Sequence, residues 1–396
     1  MKVLPMNMKK TIGQQEKIRT PILFFAMFIA LMLYQTSGTS MGTVLAFFSI
    51  IGTVLFALLS GLMNINRFYL SNESILLLLF WAITTISSLF LGPLPGYYAR
   101  FTAQIVLFLT VVNIRANERE KRFLENVFLY ASVLYAVLAI YSCVSMGESR
   151  YYHGDIVLLG TAFDPNYIGI PFVATAALLL NRILRERRRI LSICLYTVIL
   201  IAIVYTASRG NLVALLFSNA LVLLFYVFER NRRINTLWKK GLILVGVFLL
   251  SMVLIQFFSS VFDQQWQRMT LIDNTDDNGR LYLWNQAFDL WQERPLLGGG
   301  LQGMYRLHGK ATHNTFLQVL SETGTVGFLL YMAFIVGMLI KSYQNSKVYF
   351  CLVLGMLVQM TFLDALDNRC VWVVLCWMIL LSWKKGSDRV DQVHTV

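Results

Sequence analysis

The sequence predicts an all-α polytopic membrane protein with about twelve transmembrane helices. Apolar residues make up 57% of the 396 residues, and the mean hydropathy is +0.61. A soluble domain of this length contains much less apolar sequence. Apolar segments of about 20 residues, the length that crosses a bilayer, recur along most of the chain. Composition and segment length together therefore argue against a soluble globular fold.

The apolar segments divide into twelve predicted spans. Short polar connections separate them, except that a long polar segment lies between the ninth span and the tenth. We expect one membrane domain over residues 1–396, with spans within 21–261 and 314–383 and a large extracytoplasmic loop at 262–312. The predicted spans are 21–36, 41–63, 73–92, 97–113, 123–146, 166–183, 190–206, 211–228, 241–261, 314–340, 347–365 and 370–383.

The distribution of Lys and Arg predicts how these spans are oriented. If the N terminus is cytoplasmic, 25 of the 34 Lys and Arg residues fall in cytoplasmic segments, as the positive-inside rule requires. Both termini are then cytoplasmic. The net charge of +13 is therefore mainly a signal of topology, and we expect no nucleic-acid partner.

The extracytoplasmic loop contains one segment with helical periodicity. It begins with the capping residues Asp277 or Asn278 and ends before Pro295. Its apolar stripe suits either the membrane interface or packing on the membrane domain. The stripe consists of Leu281, Trp284, Phe288 and Trp291. The glycines of PLLGGGLQG, which follows, permit tight turns of the backbone.

Three predicted spans begin on the outer side with compact polar motifs. These motifs are FDPNYIGIP, TASRGN and THN, and they include Asp164, Arg209 and His313. A helix start offers unpaired backbone N–H groups and the positive end of the helix dipole, and both attract anions. The sequence therefore predicts helix starts that favour an anionic group at the outer face.

Arg209 and His313 are the strongest candidates for chemistry. A guanidinium group matches the oxygens of a diphosphate, although an arginine here also suits lipid headgroups or a structural carboxylate. The dipole at a helix start disfavours a protonated imidazole, so His313 suits a general base. The alternative for His313 is a capping or interfacial role. His308, on a glycine-flanked stretch nearby, is a further candidate.

The acidic residues and the cysteines show no pattern that indicates a metal or other cofactor. The acidic run Asp273–Asp277 lacks the ligand pattern of a metal site, and five cysteines, mostly within spans, form no disulfide or metal framework. Asp364 and Asp367 lie near the outer end of the eleventh span, close to Arg369. They form either a structural ion pair or a wall of the site.

Two long segments resemble a known family. GRLYLWNQAFDLWQERPLLGGGLQG and THNTFLQVLSETGTVGFLLYMAF resemble the signature region of the O-antigen ligase and O-antigen polymerase superfamily of bacterial membrane glycosyltransferases. DPNYIG and TASRGN are similar to its upstream elements, so the resemblance extends from about Phe163 to Leu330. It implies a GT-C-like enzyme at the outer leaflet of the bacterial inner membrane. Such an enzyme transfers a glycan from undecaprenyl diphosphate to a sugar hydroxyl of a glycan or glycolipid acceptor, without a metal or other cofactor.

The resemblance also implies roles for individual residues. His313 matches the essential histidine of the family, acting as a base or as a positioner of the acceptor. Arg209 matches an arginine that binds the diphosphate, and Arg280 matches a second arginine near the phosphates. The candidate supporting residues are Asn314, Asp164, Asn166 and His308.

Three functions compete at this stage. A repeat-unit polymerase is favoured because HNTFLQVLSETGTVG is closer to the polymerase-like pattern, and its expected protein partners are a flippase and a chain-length regulator. The alternative enzyme is a ligase that attaches the finished glycan to an anchor. The rival class is a transporter of polysaccharide or small molecules. The sequence shows no internal repeat, and Pro171 is the only proline clearly within a span, so it does not indicate the broken helices typical of transporters.

Overall fold

A computed structural model describes residues 17–33, 41–60, 63, 68–89, 95–146, 156–158, 161–186, 189–229 and 274–381. Within these ranges the chain forms helices and one short antiparallel hairpin, in which Ile156 pairs with Phe163. The helices are α1 (Thr20–Ala30), α2 (Met41–Leu59), α3 (Asn72–Leu89), α4 (Pro95–Val112), α5 (Glu118–Met146), α6 (Pro165–Arg185), α7 (Ile190–Tyr205), α8 (Arg209–Phe228), α9 (Asn274–Glu293), α10 (Gly303–His308), α11 (Thr315–Asn345), α12 (Lys347–Met360) and α13 (Arg369–Leu381). The strands are β1 (Ile156–Leu158) and β2 (Thr161–Phe163).

Several of these helices have the dimensions of membrane spans. Five described helices, namely α3, α5, α6, α8 and α11, are long and apolar enough to cross a membrane, and six others are shorter and apolar. Eleven of the twelve predicted spans overlap described helices, while the ninth, 241–261, lies outside the described residues. The chain is thus a helical multi-pass membrane protein, and the count of twelve and the orientation remain predictions.

Helices α6 and α13 form the centre of the bundle. Every residue of α13 is buried, and α6 is buried along most of its length. A helix that is apolar on all sides needs neighbours on all sides. On α13, Trp372 packs edge-on against Phe101 of α4, and Trp377 stacks on Phe128 of α5. These contacts fix the central helix against the N-terminal half of the chain.

Helix α11 is interrupted at Gly324, a break that the sequence did not indicate. Gly324 has φ 66° and ψ −174°, a conformation that is essentially restricted to glycine. The N–H groups of Gly299 and Gly300 donate to the carbonyls of Ser321 and Glu322, each at 2.8 Å. The upstream glycine run therefore satisfies carbonyls that the interruption leaves outside the helical pattern. We call the pairing of residues 295–300 with 321–326 the glycine clasp.

The glycine clasp tolerates no side chain at Gly324. A Cβ atom added there would overlap the carbonyl oxygen of Leu296. We expect Gly324→Ala to lower the midpoint of thermal unfolding, at a cost of about 1–3 kcal/mol. Gly279→Ala on α9 is the matched control, because a Cβ added at Gly279 has no atom within 4 Å. Equal midpoints for the two variants would show that the clasp contributes nothing to stability.

Helix α9 packs through a different face from the one that the sequence predicts. Its buried face contains Leu283, Ala287 and Leu290, and Ala287 and Leu290 form an apolar cluster with Met304 of α10. The helix also begins at Asn274, earlier than predicted, and ends at Glu293 before the proline.

The predicted stripe of α9 lies at the edge of this face. Trp291 donates its indole N–H to the Thr325 hydroxyl at 3.0 Å, whereas Leu281 and Phe288 are exposed. The apolar arc of α9 is wide, because it contains both the buried face and the predicted stripe. Helical spacing alone could not decide which part of that arc is covered.

Candidate active site

Residues 361–368, which connect α12 to α13, bring the starts of α6 and α8 together. The Tyr167 hydroxyl, in the first turn of α6, donates to the backbone carbonyl of Asp364 at 3.0 Å. Gly210, at the start of α8, lies against Phe362, since a Cβ atom added to it would be 3.1 Å from the phenylalanine side chain. Both helix starts therefore contact the same connecting segment.

The start of α11 lies against this segment too. The Thr315 hydroxyl donates to the carbonyl of Leu363 at 2.6 Å and accepts from the N–H of Ala365 at 3.0 Å. Three helix starts thus meet around residues 361–368, at what we call the site edge. The predicted polar motifs are brought together there by a segment far from all three in sequence.

His313 lies at the site edge beside Asp364. Its backbone N–H donates to Asp364 Oδ2 at 2.5 Å, and its Nδ1 lies 3.7 Å from the same oxygen. The Thr312 hydroxyl donates to the other carboxylate oxygen. The His313 side chain is 46% exposed, whereas that of Asp364 is 8% exposed. The imidazole therefore has a buried carboxylate on one side and open space on the other.

Asp364 forms a wall of the site, and Asp367 forms an ion pair. Burial raises the pKa of Asp364, while the hydrogen bond from Thr312 and the charge of His313 act in the opposite direction. Asp367 lies 3.1 Å from the guanidinium of Arg100, which opposes the rise in the pKa of Asp367 caused by burial. The sequence left both roles open for both residues. The signal for Asp364 was an acidic residue at the end of an apolar span.

The backbone is strained at this edge. In the described part of the chain, the non-glycine residues with positive φ are Ala207 (47°), Gln302 (55°) and His313 (51°). Such conformations cost about 1–2 kcal/mol for residues with a Cβ atom, and they concentrate at functional sites. Ala207 precedes the start of α8, and His313 precedes that of α11, so two of the three lie at the site edge.

Arg209 is the first residue of α8. Ser208 caps this helix by accepting from the N–H of Asn211 at 3.4 Å, and the Arg209 side chain is exposed. The next residue, Gly210, is the one that lies against Phe362. Arg209 therefore lies at the site edge, on a helix start whose N–H groups and dipole favour an anion.

Arg280 lies on α9, which contacts the residue before His313 through a tryptophan. Trp284, one helical turn later on α9, donates its indole N–H to the carbonyl of Thr312 at 3.1 Å. Residues four apart lie on the same side of a helix, so Arg280 and Trp284 lie on one side of α9. The structure thus brings Arg280 within about one turn of a side chain that contacts the residue preceding His313.

The candidate supporting residues mainly serve as helix caps. Asp164 caps α6, accepting from the N–H and the side-chain amide of Asn166, each at 2.8 Å. Asn314 caps α11, accepting from two backbone N–H groups of its first turn. His308 ends α10, and among the described residues no hydrogen bond or ion pair links it to His313. The structure therefore places two of the motifs at helix starts, as predicted, and gives no contact that brings His308 into the site.

Asp364 is the residue whose charge we expect to support His313. We expect Asp364→Asn to lower the rate of glycan transfer about tenfold or more, because the amide cannot stabilise a protonated imidazole. In the wild type, the rate should fall as the pH falls through the raised pKa of Asp364, because only the ionised carboxylate has this effect. Rates measured with purified protein over a pH series check both points. Asp289→Asn, an exposed position on α9, is the control, and equal rates for the two variants would contradict this role.

Comparison with known proteins finds a similarity in one region of the chain. No curated protein matches the chain. Residues 193–332 match a family model described as O-antigen ligase, and this region contains Arg209, Arg280 and His313, whereas Asp364 lies beyond it. The match agrees with the resemblance of the sequence motifs, and it supports a relationship of this chain to the O-antigen ligase and polymerase superfamily.

Proposed function

We propose that the protein is a membrane glycosyltransferase that moves a glycan from undecaprenyl diphosphate to an acceptor hydroxyl at the outer leaflet. The observation that carries the proposal is the buried Asp364 carboxylate beside the exposed His313 imidazole, at a helix-start edge that also holds Arg209. A base and a cationic anion site are the two requirements for displacing a diphosphate with a hydroxyl group.

The proposed reaction uses these groups as follows. His313 takes the proton of the acceptor hydroxyl at Nε2, because Nδ1 faces Asp364. The acceptor oxygen then forms a bond to the anomeric carbon of the donor sugar, while the bond from that carbon to the diphosphate oxygen breaks. Arg209 and Arg280 neutralise the departing diphosphate, which stays on its lipid. Arginines can supply this charge without a metal or other cofactor.

The proposed placement of the enzyme follows from its chemistry. Nucleotide sugars and ATP are absent outside the cytoplasm, so the donor arrives already activated as a lipid diphosphate. We therefore propose one twelve-span GT-C-like domain over residues 1–396 in the bacterial inner membrane, with both termini in the cytoplasm. The loop 262–312 and the site edge then face the extracytoplasmic side. The distribution of basic residues supports this orientation.

We favour a repeat-unit polymerase over a ligase. The polymerase is supported by the likeness of HNTFLQVLSETGTVG to the polymerase-like pattern, and the ligase by the description of the matching family model. Glycan analysis of a deletion strain distinguishes them. Single repeat units attached at the surface indicate a lost polymerase, and long lipid-linked chains that never reach an anchor indicate a lost ligase. A flippase and a chain-length regulator are the protein partners proposed for the polymerase.

The interrupted α11 gives the transporter alternative one observation in its favour. Interrupted helices in transporters expose backbone groups that coordinate ions or substrate. In this protein, the N–H of Thr325 donates to the carbonyl of Pro295 at 2.8 Å, and the carbonyls of Ser321 and Glu322 are paired within the glycine clasp. The break therefore favours a docked loop over an ion site. Reconstituted protein that carried a glycan across vesicles without forming a glycosidic bond would support the transporter instead.

A further inference from the structure

A buried amide network joins the start of α8, which carries Arg209, to three other helices. Asn211, two residues later on α8, is 1% exposed. Its side-chain nitrogen donates to the carbonyl of Pro165 and to the hydroxyl of Thr206, each at 3.2 Å. Its side-chain oxygen accepts from Gln359 Nε2 at 3.0 Å. One side chain therefore connects the start of α8 with the start of α6, the end of α7 and the last turn of α12.

The close packing of α6 leaves Asn211 little freedom. A Cβ atom added at Gly169 would overlap the Asn211 amide, so the two helices approach closely because a glycine faces this side chain. Gln359 lies near the end of α12, shortly before the segment that carries Asp364. The network therefore connects the helix start that carries Arg209 with the helix that leads to Asp364.

We propose that Asn211 and Gln359 are positioning residues, which set the location of Arg209 relative to His313 and Asp364. This inference rests on the proposed function. The side-chain amides of Asn211 and Gln359 are buried, and they donate hydrogen bonds to backbone and side-chain acceptors at fixed positions. These bonds hold α8 in one register against α6 and α12. Transfer requires the diphosphate and the acceptor hydroxyl to be aligned, and a displacement of about 1 Å can cost about a hundredfold in rate.

The test compares Asn211→Leu with Asn219→Leu. Both variants remove an amide hydrogen bond from α8, since Asn219 donates to the Tyr196 hydroxyl at 2.7 Å, but only Asn211 adjoins Arg209. We expect Asn211→Leu to lower kcat per folded molecule about tenfold or more, with the KM for the acceptor unchanged. Asn219→Leu should keep kcat within about twofold of the wild type. Gln359→Met, which removes one bond of the network, decides the matter if Asn211→Leu does not fold, and it should lower kcat in the same way.

A double variant separates positioning from general destabilisation. If Asn211 acts through Arg209, its loss should have little further effect in the Arg209→Lys background, because residues that act as a unit are not additive. The inference would be overturned if the losses of kcat caused by Asn211→Leu and Arg209→Lys multiplied in the double variant. It would also be overturned if Gln359→Met kept kcat within about twofold of the wild type. An impaired Arg209→Lys would leave the proposed function intact in that case. A fully active Arg209→Lys would overturn the proposed function as well.

Discussion

Replacing His313 with alanine should abolish glycan transfer while leaving the protein folded in the membrane. His313 is exposed at the site edge, and its imidazole faces the Asp364 carboxylate at 3.7 Å. The variant therefore loses the proposed base and leaves Asp364 with no imidazole to support. General base catalysis contributes about 10²- to 10⁴-fold, and we expect a loss in this range. The measurement is the rate at which purified protein forms polymer and releases lipid diphosphate.

His308→Ala is the matched comparison for this experiment. His308 lies five residues before His313, and within the described part of the chain no hydrogen bond or ion pair connects it with His313 or Asp364. We expect the His308 variant to keep its rate within about twofold of the wild type. Near-normal polymer formation by His313→Ala, in protein of unchanged thermal stability, would remove the proposed role.

Replacing Arg209 with lysine should impair transfer although the charge is retained. An ammonium group cannot reproduce the paired donors of a guanidinium toward two phosphate oxygens, and removing one stabilising donor from a reacting centre costs about 10²- to 10³-fold. We expect a loss of about tenfold or more, because lysine keeps part of the electrostatic stabilisation. The rate should be measured at saturating acceptor with the lipid diphosphate donor varied.

Arg294→Lys provides the control for charge-conserving replacement. Arg294 is an exposed arginine that follows α9, and the proposed reaction does not use it. Full activity of Arg209→Lys, with donor binding unchanged, would reduce Arg209 to a packing or topology residue.

Local patterns predicted the helices and the helix starts well. Apolar length located most spans, because a bilayer imposes one length on every crossing helix. The compact polar motifs marked the starts of α6 and α8, where Asp164 and Ser208 accept from backbone N–H groups. These features depend on neighbours within a few residues in the sequence, so the sequence shows them directly.

Long-range pairings account for what the sequence did not predict. The break at Gly324 depends on carbonyl partners in the upstream glycine run, and a glycine in an apolar span predicts no break by itself. The contact of Asp364 with Thr312 and His313 joins segments about fifty residues apart, which no spacing rule reaches. These segments form one site only because the fold brings them together.

The measurement that tests the central claim most directly is the labelling of single cysteines at the site edge. Arg209→Cys and His313→Cys should each be made in a chain whose five native cysteines are replaced, with Arg185→Cys as the cytoplasmic control. If the site edge faces outward, a membrane-impermeant thiol reagent labels positions 209 and 313 in intact cells and labels position 185 only after permeabilisation. Labelling of 209 or 313 only after permeabilisation would contradict the account.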